Sequence, residues 1–163
     1  MNSQLNAAAG ALAETLRRDR LILTTAESCT AGLVAMALCA VGGSGDFFTR
    51  GFITYTDRAK HEVLRVGWHA LETYTAVSEQ VVKEMAAGAL QVAGEDIALS
   101  VSGYAGPEDG PDGTPAGTIW FGWVTPDNKV HAQVKRFSGD CEAVIEQAAV
   151  FALVRMRELL QNK

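Results

Sequence analysis

Cysteine is scarce in this chain: Cys29, Cys39 and Cys141 make three, an odd number without metal-ligand spacing. That excludes a disulfide framework and leaves reduced thiols in a cytoplasmic protein as the expectation. Histidine is equally thin. His61, His69 and His131 are scattered and share no ligand spacing, so no metal is expected. Positive charge is outnumbered, with 14 lysines and arginines against 19 aspartates and glutamates. The resulting net charge of −5 argues against a nucleic acid or an anionic membrane as partner. No stretch approaches the roughly 18 consecutive apolar residues of a membrane span. The polar, alanine-rich first ten residues carry no secretory pattern. Internal repeats, low-complexity tracts and linkers are missing as well. A single domain over residues 1–163 is expected.

What is present suits a globular enzyme. Of the 163 residues, 48% are hydrophobic and 20% charged, enough to bury a sizeable core. Leu5, Ala8, Ala9, Leu12 and Leu16 recur at helical spacing and predict an amphipathic helix near 2–19. A short β-prone run, Leu21 to Thr25, follows, and then a small, apolar helix from Cys29 to Val41 that stops at Gly42-Gly43. Phe47 to Tyr55 reads as a strand, with Thr56 or Asp57 capping a helix to about Leu64. Ser78 opens another helix, with Val82, Met85, Ala86, Ala89 and Val92 as its stripe. Ile97 to Ser102 and Thr118 to Thr125 read as strands, the second apolar enough for burial on both faces. The turn Pro126-Asp127-Asn128-Lys129 makes an antiparallel hairpin with Val130–Phe137, where Val130, Ala132 and Val134 alternate with polar residues. A long helix from near Gly139-Asp140 closes the chain. Strands alternating with helices, then a late hairpin, predict an α/β fold with helices on both faces of a mixed sheet.

Three segments hold residues capable of chemistry. In Thr25-Ala26-Glu27-Ser28-Cys29-Thr30, a hydroxyl sits between a strand and a helix start, beside free backbone N–H groups and the positive end of a dipole. Those conditions suit a nucleophile with an oxyanion hole, although serine and threonine favour such positions as plain helix caps too. Glu27 is either a helix-start acid or a substrate contact. In Tyr55-Thr56-Asp57-Arg58-Ala59-Lys60, Lys60 falls at the end of a first helical turn, where the dipole and burial both disfavour its charge. A neutral lysine can deprotonate a serine; the same lysine beside Asp57 also reads as a surface charge. The loop from Ser102 through Gly103, Ala105 and Gly106 to Gly110 can cradle an anion with backbone N–H groups, or simply connect two strands. Its spacing fits neither a dinucleotide fingerprint nor a P-loop. Gly42-Gly43-Ser44-Gly45 is a weaker case of the same kind.

Taken together, these segments resemble the CinA C-terminal domain, the nicotinamide-nucleotide amidohydrolase family. The likeness runs through Thr25 to Thr30, Gly51-Phe52-Ile53-Thr54-Tyr55 with Ala59-Lys60, and Val77-Ser78-Glu79. It continues in Ser100 to Pro107, Gly117-Thr118 and Phe137-Ser138-Gly139-Asp140, in order from about residue 5 to 160. The resemblance implies a three-layer α/β/α sandwich with a mixed, mostly parallel sheet. It implies hydrolysis of nicotinamide mononucleotide to nicotinate mononucleotide and ammonia, without cofactor or metal. Ser28 would be the nucleophile, Lys60 its base and Tyr55 an aid to proton transfer. Glu27, Cys29, Thr30, Gly43, Ser44, Ser102, Gly103, Ala105 and Gly106 would surround the nucleotide. A homo-oligomer, with a dimer favoured, is implied too. The chain departs from the family pattern at Ala31, Thr56-Asp57 and Glu108-Asp109, and at Cys141 and Ile145, where arginines are expected. These departures support an alternative, a catalytically weak or silent paralogue that binds a nucleotide or protein.

Overall fold

The computed structural model describes residues 2–162. The chain opens with α1 (Ser3–Asp19), whose first turn is capped by Asn2 Oδ1 accepting from the Leu5 N–H at 2.7 Å. Its stripe of Leu5, Ala8, Ala9, Leu12 and Leu16 is buried, as the helical spacing predicts. β1 (Leu23–Glu27) is buried at every residue, and α2 spans Leu33–Cys39. A short 3₁₀ turn, Ser44–Asp46, leads into β2 (Phe48–Ile53), followed by α3 (Asp57–Leu64) and α4 (Trp68–Tyr74). The long α5 (Glu79–Ala93) precedes β3 (Ile97–Gly103), β4 (Thr118–Val124), β5 (Val130–Arg136) and α6 (Cys141–Gln161).

Among the described residues the strands form one sheet in the order β2-β1-β3-β4-β5. β1 pairs parallel with β2 and β3, while β4 is antiparallel to both of its neighbours. Only β4 therefore runs against the rest, so the sheet is mixed with most strands pointing one way. The pleat sends alternate side chains to opposite faces. On one face Leu23, Leu99, Val101, Phe121 and Trp123 join the buried stripes of α1, α2 and α6. On the other, Ala26 packs with residues of α3, α4 and α5, including Leu64, Leu71, Val82 and Met85. Helices on both faces make the three-layer α/β/α sandwich. No helix of the described residues is long and apolar enough to cross a membrane.

Two close approaches set the layers. A Cβ on Gly88 of α5 would stand 1.8 Å from the Leu64 carbonyl oxygen, so only glycine lets α5 lie this close to the end of α3. Between β1 and α2 the chain turns through left-handed Ala31 (φ 49) and Gly32 (φ 99). The helix expected from Cys29 therefore begins only at Leu33. Residues 28–32 form a turn instead, with Ala31 N–H donating to Ser28 O at 3.1 Å and Leu33 N–H to Thr30 O at 3.0 Å. Helix α4 was not foreseen, because its seven residues bury just Ala70 and Leu71 and show almost no period. On β5 the alternation was real but its apolar face is less covered than expected. The strand is at the sheet edge, and Val130 and Val134 stay 38% and 43% exposed.

Candidate active site

The C-terminal ends of the parallel strands β1, β2 and β3 come to one rim of the sheet, where α/β folds place ligands. The backbone ladder continues a residue past the strands there. Ser28 N–H donates to Val101 O at 3.0 Å, and Thr54 N–H donates to Glu27 O at 2.8 Å. Both segments are thereby fixed side by side. After β2, Thr56 caps α3, its Oγ1 accepting from Ala59 N–H at 3.1 Å. That cap puts Lys60 on the fourth residue of the helix, turned inward and 1% exposed.

The Lys60 amine lies 2.9 Å from Ser28 Oγ, 2.9 Å from Thr54 O and 3.2 Å from Tyr55 O. Burial pushes its pKa below the ordinary 10.5, and the nearby Asp57 and Cys29 only partly oppose this. A neutral lysine has two N–H bonds and one lone pair. Two carbonyls and one hydroxyl match that inventory: the hydrogens go to Thr54 O and Tyr55 O, and the lone pair faces Ser28 Oγ–H. Cys29, next to the serine, is driven the other way. Burial pushes its thiol up to about 12, so it stays protonated and is a poor nucleophile.

Ser28 and Lys60 open onto a cleft of about 730 Å³. Tyr55, Cys29, Ser102, Gly103, Ala105 and Gly106 line it too, as the sequence led us to expect. Tyr55 reaches the lysine with its main-chain carbonyl, while its ring is 71% exposed at the cleft. Ser102 is buried and donates to Ala76 O at 2.8 Å.

Four expected substrate contacts are elsewhere. The Glu27 carboxylate is fully buried and accepts from Thr30 Oγ1 at 2.6 Å, Val34 N–H at 2.9 Å and Ala35 N–H at 3.0 Å. It satisfies the orphan amides that begin α2, and Thr30 is its partner, so neither faces the cleft. Gly43 and Ser44 precede β2 and thus sit at the opposite rim, where Ser44 Oγ donates to Cys39 O at 3.4 Å. Other cleft residues escaped the sequence reading. Thr75, Tyr104 and Asp112 meet there, with Asp112 Oδ2 accepting from Thr75 Oγ1 at 2.7 Å and Tyr104 OH at 3.4 Å. Cys141 and Ile145, on the first turns of α6, complete the lining. Among the described residues no three His, Cys, Asp or Glu side chains group as metal ligands.

Known proteins of the same build were then compared. The family model described as the CinA C-terminal domain matches residues 5–160. Protein YdeJ of Escherichia coli strain K12 is 49% identical over 150 residues, 92% of this chain and 87% of that one. Nicotinamide-nucleotide amidohydrolase PncC of Enterobacter agglomerans is 53% identical over 141 residues, 86% of each chain. The protein of that name from Escherichia coli strain K12 is 41% identical over 162 residues, covering 99% of this chain and 98% of that one. A crystal structure of a CinA-superfamily protein from Klebsiella pneumoniae superposes with a TM-score of 0.95 at 45% identity, over 100% of both chains. With a family match over nearly its whole length and relatives this similar, the chain belongs to the CinA C-terminal domain family.

Proposed function

We propose that the chain is an amidohydrolase that cleaves the carboxamide of a nicotinamide nucleotide through a Ser28 acyl-enzyme. The observation that carries the reading is the buried Lys60 amine 2.9 Å from Ser28 Oγ, with its two hydrogens directed to main-chain carbonyls. The names of the relatives supply the substrate.

The steps follow from that geometry. Ser28 Oγ attacks the carboxamide carbon as its proton passes to Lys60 Nζ, forming the C–O bond and an oxyanion. Main-chain N–H groups of the turn at 28–31 are the donors the site offers that oxyanion. The intermediate collapses, the C–N bond breaks, and the Lys60 proton goes to the leaving nitrogen to give ammonia. Water, deprotonated by the same lysine, then attacks the acyl carbon and frees the acid and Ser28. Tyr55 serves through its carbonyl, which holds the amine in place.

Purified protein incubated with nicotinamide mononucleotide should release ammonia and nicotinate mononucleotide. Quenching during turnover should show the acyl adduct on the peptide holding Ser28. A folded protein that releases no ammonia would favour the alternative, a non-catalytic binding module. The dimer and cytoplasmic location implied by the resemblance belong to the same proposal. Sedimentation at micromolar concentration measures the first of them.

A further inference from the structure

The cleft beside Ser28 is poor in positive charge. Among the described residues Lys60 is the one cationic side chain in its lining, and that amine is buried and bound to two carbonyls. Three carboxylates share the lining, those of Asp57, Glu108 and Asp112. None of the three forms a salt bridge among the described residues. Asp112 is also fixed, since it accepts from Thr114 N–H at 3.0 Å besides Thr75 and Tyr104. The side offered by α6 is uncharged Cys141 and Ile145. Arg136 is engaged with Ala116 O at 3.4 Å and lines neither this cleft nor the smaller hollow beside it.

A phosphate brings about −1.5 to −2 charge at neutral pH and needs charge-assisted donors to replace its water. This cleft offers it carboxylates. A pyridinium ring has the opposite need. Its positive charge is attracted by the same carboxylates and by the faces of Tyr55 and Tyr104, both of which line the cleft.

We propose that the cleft selects a positively charged carboxamide without a phosphate, a substrate of the pyridinium ribonucleoside class. The inference rests on the Ser28–Lys60 amide-hydrolysis reading and changes only which end of the substrate is gripped. Ring and carboxamide carry the recognition, and the phosphate of a nucleotide is a hindrance.

The test pairs two probes that differ by the phosphate alone, nicotinamide ribonucleoside and nicotinamide mononucleotide. Ammonia release gives kcat/KM for each with the full chain, and titration calorimetry gives their Kd with the Ser28→Ala variant. The expected result is a preference for the ribonucleoside of roughly ten-fold in both measurements, about 1.4 kcal/mol. Glu108 is exposed, so Glu108→Lys should fold normally and shrink or reverse the preference. A ten-fold tighter Kd for the mononucleotide would overturn the inference while leaving the hydrolase reading intact. If neither probe yields ammonia yet the ribonucleoside binds tighter, the hydrolase reading fails and the selectivity stands. Equal Kd values unmoved by Glu108→Lys would also overturn it.

Discussion

Lys60 Nζ lies 2.9 Å from Ser28 Oγ although the two residues stand 32 positions apart in the chain. Neighbouring parallel strands make the meeting: β1 ends at Glu27, β2 at Ile53, and each releases its chain at the same rim. The serine needs only the first residue after β1. The lysine needs the Thr56 cap and one helical turn to come back over the strand end.

Ser28→Ala and Lys60→Met should each lower the rate of ammonia release by 10³-fold or more, the order seen when a nucleophile–base unit is broken. Circular dichroism should show both variants folded. Tyr55→Phe keeps the main-chain carbonyl that meets the lysine, so its kcat should stay within a few-fold of the parent. A loss comparable to that of Lys60→Met would give the tyrosine hydroxyl a direct part in proton transfer.

Activity should rise with pH as Lys60 loses its proton, with the limb below the ordinary value of 10.5. Stability should respond as well. Between the lowered folded pKa and 10.5 the unfolded lysine holds a proton that the folded one has released, so unfolding takes up a proton and stability rises with pH. Below that window the cost of the buried charge is fully present. Denaturant titrations in alkaline steps should show this rise in the parent and its absence in Lys60→Met. Parallel curves would mean that the buried amine titrates normally.

Cys141 is exposed and Ile145 half-buried at the cleft wall, so longer side chains there can extend into it. Cys141→Arg with Ile145→Arg should raise kcat/KM on nicotinamide mononucleotide by roughly ten-fold or more, because one charge-assisted hydrogen bond is worth about 1.5–3 kcal/mol. Thermal melts run alongside show whether Ile145→Arg costs stability. A stable double variant with unchanged kcat/KM would show that charge at this wall does not limit the reaction.

Glu27→Ala should destabilise the domain by about 3 kcal/mol or more. It strands two main-chain amides and a buried hydroxyl, and each orphaned group costs about 1–3 kcal/mol. Urea unfolding measures this. A change below about 1 kcal/mol, within the range of ordinary surface substitutions, would contradict the capping role.

The Ser28–Lys60 meeting was legible because strand ends and helix caps have side-chain signatures, and a cap at Thr56 already aims the fourth helical residue. Glu27 was harder. Acid before a serine looks the same whether it turns toward substrate or toward the amides of α2, and only the unexpected turn at Ala31-Gly32 decides it. Gly43 and Ser44 resemble an anion loop in composition, yet a loop that enters a parallel strand lies at the far rim. The carbonyls of Thr54 and Tyr55 left no trace, since every residue carries one. Asp112 reaches the cleft only through the path of a long loop, which composition does not specify.

The backbone bonds from Ser28 to Val101 and from Thr54 to Glu27 tie both reacting segments to the sheet interior. In hydrogen exchange, the amides of Ser28 and Thr54 should be among the slowest, opening only with the whole domain. Heat should then abolish catalysis and fold in one step, whereas an active centre carried on a loose loop would fail first. Whatever governs admission of substrate must lie in the exposed stretch from Glu108 to Thr114, whose motion leaves the serine and lysine undisturbed.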